Sequence, residues 1–186
     1  MKTNKRSAQF ELVDDIVSDV VSSNIETLSA QSDGSAQFSS TSSAQLISSI
    51  HFTIPGTPVA KGRARSYKRG NFIQHVTPEK TVLYENLVKM IAMDAMNGAK
   101  PIQGAIHLRI QAHFPIAESW SKKKKEEAIT GRLKCTKKPD ADNIAKVVSD
   151  ALNGVLFADD SAVTYLIVTK GYSNEPRVEV HVEAID

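Results

Sequence analysis

Residues 138–160 read KPDADNIAKVVSDALNGVLFADD, and the spacing of apolar residues in this stretch decides how the chain is read. Ile144, Val147, Val148, Ala151 and Leu152 fall on one continuous stripe at helical spacing. An amphipathic helix from Asp142 is predicted, with Gly154 where a C-terminal cap belongs. Asp142, Asn143, Lys146, Ser149, Asp150 and Asn153 are left on the opposite side. Asp142 and Lys146 are four apart, so they share a face one turn apart. Asp140 precedes the helix, and Asp159 and Asp160 follow it.

Chain geometry allows these acids to meet. The helix from Asp142 to Asn153 spans about 16 Å at ~1.5 Å per residue. Residues 154–160 reach about 20 Å when extended, so a chain turning at Gly154 and running back would bring Asp160 near the helix start. Two like charges 4 Å apart repel by ~4 kcal/mol at an effective dielectric of 20. A cluster of three or four carboxylates therefore needs a cation or raised pKa values. An all-oxygen set with no Cys or His in the stretch suits a hard ion, Mg²⁺ or Mn²⁺, where zinc would want nitrogen or sulfur. The spacing lacks the glycine and terminal glutamate of an EF-hand. The plainer alternative is that one of Asp140 and Asp142 caps the helix, Asp159-Asp160 is a solvated turn, and Asp150 pairs with Lys146.

Outward from this helix the pattern is mixed. Residues 51–55 read as a short strand ended by Pro55, and residues 56–76 as a long loop carrying Lys61, Arg63, Arg65, Lys68 and Arg69. Thr77-Pro78 is a helix start, an N-cap hydroxyl followed by proline. Leu83, Leu87, Met90, Ile91 and Ala95 supply that helix's stripe, which should end near Gly98. Ile106, Leu108 and Ile110 alternate with polar residues as a half-buried strand, and residues 122–128 add a helical turn or two. Residues 163–169 and the alternating Val178, Val180 and Val182 read as two closing strands joined by a turn at Asn174-Glu175-Pro176. The expected class is α+β, a small mixed sheet flanked by helices.

The chain has 186 residues, enough for one domain with an appendage, and is 41% hydrophobic, enough for a core. Residues 31–50 hold eight serines and a single charged residue, Asp33, a linker composition. Residues 1–49 are therefore read as a flexible N-terminal extension and residues 50–186 as the folded domain. Val13, Ile16, Val17, Val20 and Val21 lie at helical spacing within the extension, which fits either a frayed arm or a docking helix. The first 50 residues carry three bases and six acids, whereas the rest carry 20 bases and 15 acids. A basic domain stands behind an acidic arm, and such a domain favours a polyanionic partner. The one cysteine, Cys135, excludes a disulfide framework and a thiolate zinc finger, and fits a reducing compartment. No run of ~18 apolar residues exists, and the basic N-terminus is followed by acids instead of an apolar stretch. A cytoplasmic protein with no membrane partner is expected.

The run KPDADNIAKVVSDALNGVLFADDSAV resembles the signature of the RusA family of Holliday junction resolvases. Upstream, Gly56-Thr57-Pro58 with Lys61-Gly62-Arg63-Ala64-Arg65 is similar to the family's basic motif. Thr77-Pro78, Thr81 and Tyr84-Glu85 resemble its first-helix entry, and Ser119-Trp120-Ser121 with the following lysines its central segment. The likeness covers residues 51–184, with Ala141 and Ala64 standing where a larger aliphatic residue and a proline are common. It implies a single RusA-like domain in which Asp140, Asp142 and Asp160 bind metal and act in catalysis. Lys146 would be the catalytic lysine, and Asp159 a neighbour of the metal set. It further implies a Mg²⁺-dependent endonuclease (Mn²⁺ a plausible substitute) that resolves four-way junctions by paired symmetrical nicks, acting as a homodimer on branched DNA in recombination and repair. Two matched nicks on a near two-fold junction suit a C₂ dimer, with the two C-terminal strands as candidates for its interface.

Within this reading, Lys61, Arg63, Arg65, Lys68 and Arg69, with Lys138 before the acidic site, would contact DNA. Tyr67 and Phe72 would stack on unpaired bases at a crossover or, for Phe72, pack in the core. Two rivals stand beside it. One is a branched-DNA-binding protein that does not cut. The other is a D-x-D metal-dependent nucleotide-sugar transferase, disfavoured because no Gly-rich strand–turn–helix is present.

Overall fold

The computed structural model of the chain describes residues 48–70 and 72–185, so the expectations for residues 1–47 lie outside the described residues. Six strands and three helices follow: β1 (Ser49–Pro55), β2 (Arg65–Arg69), β3 (Phe72–Val76), α1 (Glu79–Met96), β4 (Ala105–Pro115), α2 (Lys122–Ile129), α3 (Ala141–Leu152), β5 (Val163–Ser173) and β6 (Arg177–Ile185). A 3₁₀ turn, Asp160–Ala162, leads into β5. The class is the expected α+β.

The main sheet has the order β1-β6-β4-β5. β6 pairs antiparallel with both β1 and β4, and β5 joins β4 in parallel. Parallel neighbours need a crossover of a dozen or more residues. Here residues 116–162 supply it, with α2 and α3 inside it. Period-two alternation sorts the side chains. Ile50, Phe52 and Ile54 of β1, Ile106, Leu108, Ile110, Ala112 and Phe114 of β4, and Val178, Val180 and Val182 of β6 are buried on one face. Against them lie Tyr84, Val88, Ala92 and Met96 of α1 and the whole predicted stripe of α3. Each fully buried aliphatic side chain contributes about 1.5–3 kcal/mol.

Three expectations were displaced. Residues 65–69 and 72–76 are no loop: β2 and β3 pair antiparallel in a separate two-stranded ribbon, from Arg65 with Val76 to Arg69 with Phe72. Gly70, at φ 64°, supplies the positive φ that the tight connection requires. Helix α1 begins one residue later than Thr77-Pro78 suggested, with Pro78 itself at the N-cap, and it ends at Met96 with Asn97 left-handed. Its buried side is rotated from the predicted stripe. Leu83 and Met90 are exposed, while Tyr84 and Val88 are buried, because α1 is apolar on more than one side and tertiary packing chose among them. Finally, β1 starts at Ser49, two residues before the strand predicted at 51–55.

Candidate active site

Helix α3 is the platform. Ile144, Val147, Val148 and Leu152 are fully buried, which fixes the helix against the sheet and turns its polar side outward. Asp140 occupies the N-cap position with an extended backbone, yet its side chain makes no capping hydrogen bond. Asp142 lies in the first turn, and both residues are exposed. Lys146 is exposed one turn further on and takes part in no ion pair among the described residues. The capping and i,i+4 pairing alternatives are therefore not the ones the chain adopts. Two carboxylates and an ammonium are left without those partners on one rigid helix.

The loop before Asp140 is tied down from behind. Lys170, on β5, donates from Nζ to the carbonyl oxygens of Lys137 and of Pro139, the latter at 2.8 Å. The Lys138–Pro139 peptide between these acceptors is cis. Lys137 in turn lies 5.9 Å from the Trp120 ring, which Lys124 also covers at 4.4 Å and Tyr172 meets edge-on at 5.2 Å. Such cation–aromatic contacts are worth about 0.5–1 kcal/mol at exposed sites. Lys170 carried no sequence signal. It sits in a β-branched strand, and only the strand's passage beneath residues 137–139 gives it a role.

Asp159 and Asp160 are placed by a different device. Val155, Leu156 and Phe157 are buried. Phe157 bridges to Ile102 and Asn153, and Ile102 N–H donates to the Leu156 carbonyl at 2.8 Å. This pins the segment after Gly154 to Ile102 and to the end of α3. Asp159 caps the 3₁₀ turn, its Oδ1 accepting from Ser161 N–H at 2.9 Å. Those hydrogen bonds from Ser161 hold the Asp159 carboxyl below its ordinary range. Asp160 precedes the first residue of β5, and Lys170 lies seven residues along that strand, about 23 Å. Among the described residues, no three Asp, Glu, His or Cys side chains of the single chain gather in metal-holding geometry. Asp140, Asp142, Asp159 and Asp160 are all exposed.

The basic segment also divides. Lys61, expected to face DNA, places its ammonium between Glu85 of α1 and Asp150 of α3, with Asp150 Oδ2 at 2.7 Å. Burial would lower the Lys61 pKa, but the bonds and charges of Asp150 and Glu85 outweigh it and raise the value. Lys61 N–H donates to the Asn143 carbonyl at 3.0 Å, and Gly62 N–H to Thr81 Oγ1 at 3.0 Å. A Cβ at Gly62 would stand 2.7 Å from Thr81 Oγ1 and 2.8 Å from Pro78, so this close approach demands glycine. The Lys-Gly pair thus stitches the loop into the groove between α1 and α3. Beyond it Arg63, Arg65 and Lys68 are exposed, as is Lys138. The chain from Gly56 to Val76 contains no acid.

The carboxylate-only donor set suits a hard divalent cation. No helix among the described residues is long and apolar enough to cross a membrane. The family model described as "Endodeoxyribonuclease RusA" matches residues 55–183. The chain is also 40% identical over 138 residues to "Uncharacterized protein YqaN" of Bacillus subtilis (strain 168), an alignment spanning 73% of this chain and 96% of that protein. The matched residues take in the Lys-Gly stitch, the helix α3 with its exposed acids and the anchoring strand β5 together, and the chain belongs to the RusA family of endodeoxyribonucleases, the Holliday junction resolvases.

Proposed function

We propose that the protein is a Mg²⁺-dependent, homodimeric endonuclease that resolves four-way DNA junctions by paired symmetrical nicks. The observation that carries this reading is the start of α3, where Asp140 and Asp142 project exposed, uncapped carboxylates and Lys146 stands one turn away. Asp140, Asp142, Asp160 and, beside it, Asp159 are the carboxylates that would hold the ion. Mg²⁺, with Mn²⁺ as a substitute, would assist deprotonation of the attacking water and neutralise charge developing on the phosphate. Lys146 adds a fixed ammonium near the scissile phosphate. Lys170 keeps the backbone of residues 137–139, and hence Asp140, in register. Arg63, Arg65, Lys68, Arg69 and Lys138 hold DNA backbone phosphates, while Lys61 anchors the segment that carries the first four of them.

A dimer answers the absence, among the described residues, of a metal-holding cluster in the single chain. In a two-fold assembly, the Asp159–Asp160 pair of one copy can approach the Asp140–Asp142 pair of the other. The exposed Tyr165, Leu166 and Ile167 on the edge strand β5 offer apolar area beside Asp160 for such an interface. Residues 50–186 would be the nuclease domain and residues 1–49 an N-terminal extension of it.

The test is a synthetic four-way junction incubated with and without Mg²⁺. Nicks at symmetry-related positions, only with the ion, and a two-chain mass in solution are expected. Retarded but intact DNA at saturating Mg²⁺ and Mn²⁺ would sink the reading in favour of a non-cleaving binder.

A further inference from the structure

The ribbon β2–β3 is the least buried element of the described chain. All five residues of β3 are exposed, and so are Arg65, Ser66, Tyr67 and Lys68 of β2. Tyr67 is 51% exposed, Ile73 67% and Phe72 81%. Among the described residues, the one side-chain hydrogen bond within the ribbon joins Ser66 Oγ to His75 Nδ1 at 2.9 Å. A lone two-stranded ribbon is marginal in water, and aromatic side chains this exposed in a cluster mark a contact surface.

Register arranges the chemistry. Directly paired residues share a face, so Arg65 and Tyr67 lie on the same face as Phe72, Gln74 and Val76, with Lys68 and Ile73 on the other. Each face carries at least one cation beside apolar side chains. With no acid from Gly56 to Val76, the charge fits a polyanion. Flat rings interleaved with cations fit the bases and phosphates of a nucleic acid. Phe72 stands at the tip, in the ribbon's last pair with Arg69. At its base the ribbon is held by the Lys61–Glu85–Asp150 stitch, so the tip is presented from a fixed root.

We propose that this ribbon is the element that distinguishes branched from linear DNA. Phe72, backed by Tyr67, inserts at the branch point and stacks on bases whose neighbours are already parted there, while Arg65 and Lys68 hold the flanking phosphates. In continuous duplex the same insertion must first open a base step, which costs free energy. At a branch the step is already interrupted, so the gain from stacking is kept. This inference rests on the junction-cleaving function above and names what gives that function its selectivity.

The experiment uses the full chain and a four-way junction with 2-aminopurine beside the branch point, in EDTA so that no cutting occurs. Wild-type protein should raise the fluorescence as the base is unstacked. Phe72→Ala and Tyr67→Ala should each lose most of that rise and about ten- to a hundredfold in junction affinity. Duplex affinity should change less than about threefold, because phosphate contacts dominate there. Phe72→Trp should retain the rise. Both rings are exposed, and circular dichroism of the variants should match wild type. Variants that keep the fluorescence rise and the junction-over-duplex preference, while wild type cuts junctions in Mg²⁺, would overturn the ribbon's role alone. Wild-type protein that binds junction and duplex equally would overturn both the role and the junction reading.

Discussion

The acidic segment and the basic segment are built on opposite plans. Residues 140–150 ride on a helix whose other side is fully buried, and Lys170 secures the loop that leads into it. The basic segment leads into the ribbon β2–β3, which has no buried described side chain and, among the described residues, is secured at its root through Lys61 and Gly62. The difference teaches a division of labour. Groups that must meet a reacting phosphate within a fraction of an ångström need a rigid mount. Groups that hold a backbone or enter a branch need reach, and their partner completes their packing.

The largest effect expected from this division is chemical. Asp142→Asn should lower junction cleavage by on the order of 10²–10³-fold, as when one group that stabilises developing charge is removed. Gel retardation of the junction should be unchanged. If this exposed substitution abolished binding too, the two segments would not be separate in function.

Next is the mount itself. Lys170→Met leaves every proposed metal-binding side chain in place but removes the two bonds to residues 137–139. Loss of support behind a ligand typically costs about 10–100-fold in activity or metal affinity. The Mg²⁺ concentration for half-maximal cleavage should rise, while the melting temperature moves little. An unchanged Mg²⁺ midpoint would show that the loop holds its shape without the lysine.

The root of the ribbon gives a stability effect. Lys61→Met leaves Glu85 and Asp150 facing one another across a groove in which both are only about a quarter exposed. A loss of about 1–2 kcal/mol is expected after discounting for that exposure, read by urea denaturation. The triple variant with Glu85→Gln and Asp150→Asn should recover most of it. The pKa sign agrees. A lysine raised in the folded state contributes its stabilisation fully below its ordinary 10.5 and loses it only as pH rises through the higher folded value, so the deficit should be flat across neutral pH.

The smallest effect concerns the turn at Asp159. Its carboxyl titrates low in the folded state, so its contribution is present above the ordinary value of 3.8 and is lost as pH falls through the lower folded value. In an NMR titration the Ser161 amide shift should follow a midpoint under 3.8. A midpoint at or above it would mean that the cap is not formed in solution.

Legibility followed physical cause. The α3 stripe was readable because one apolar side faces one core, and all five predicted residues are buried. The α1 stripe was misjudged because Val82, Leu83, Met90 and Met93 are apolar yet exposed, and a helix apolar on several sides does not announce which one packs. The ribbon was missed because alternation in Arg65–Val76 does not sort apolar from polar: Arg65 shares a face with Tyr67 and Phe72, and Lys68 shares the other with Ile73. Lys61 looked like its basic neighbours, since the carboxylates that claim it lie 24 and 89 residues away in the chain.

Sequence alone determined the α+β class, the amphipathic helix, the family and the roster of acids and bases, since these depend on local periodicity and on side-chain type. Tertiary structure alone decided that Lys61 is paired while Arg63, Arg65, Lys68 and Lys138 stay exposed, which lysine braces the acidic loop, and that among the described residues the acids of one chain do not gather to hold a metal. Those outcomes depend on burial of Val155, Leu156 and Phe157 and on the parallel crossover that sets β5 beside β4. Such contacts join residues far apart in the chain, and no local pattern encodes them.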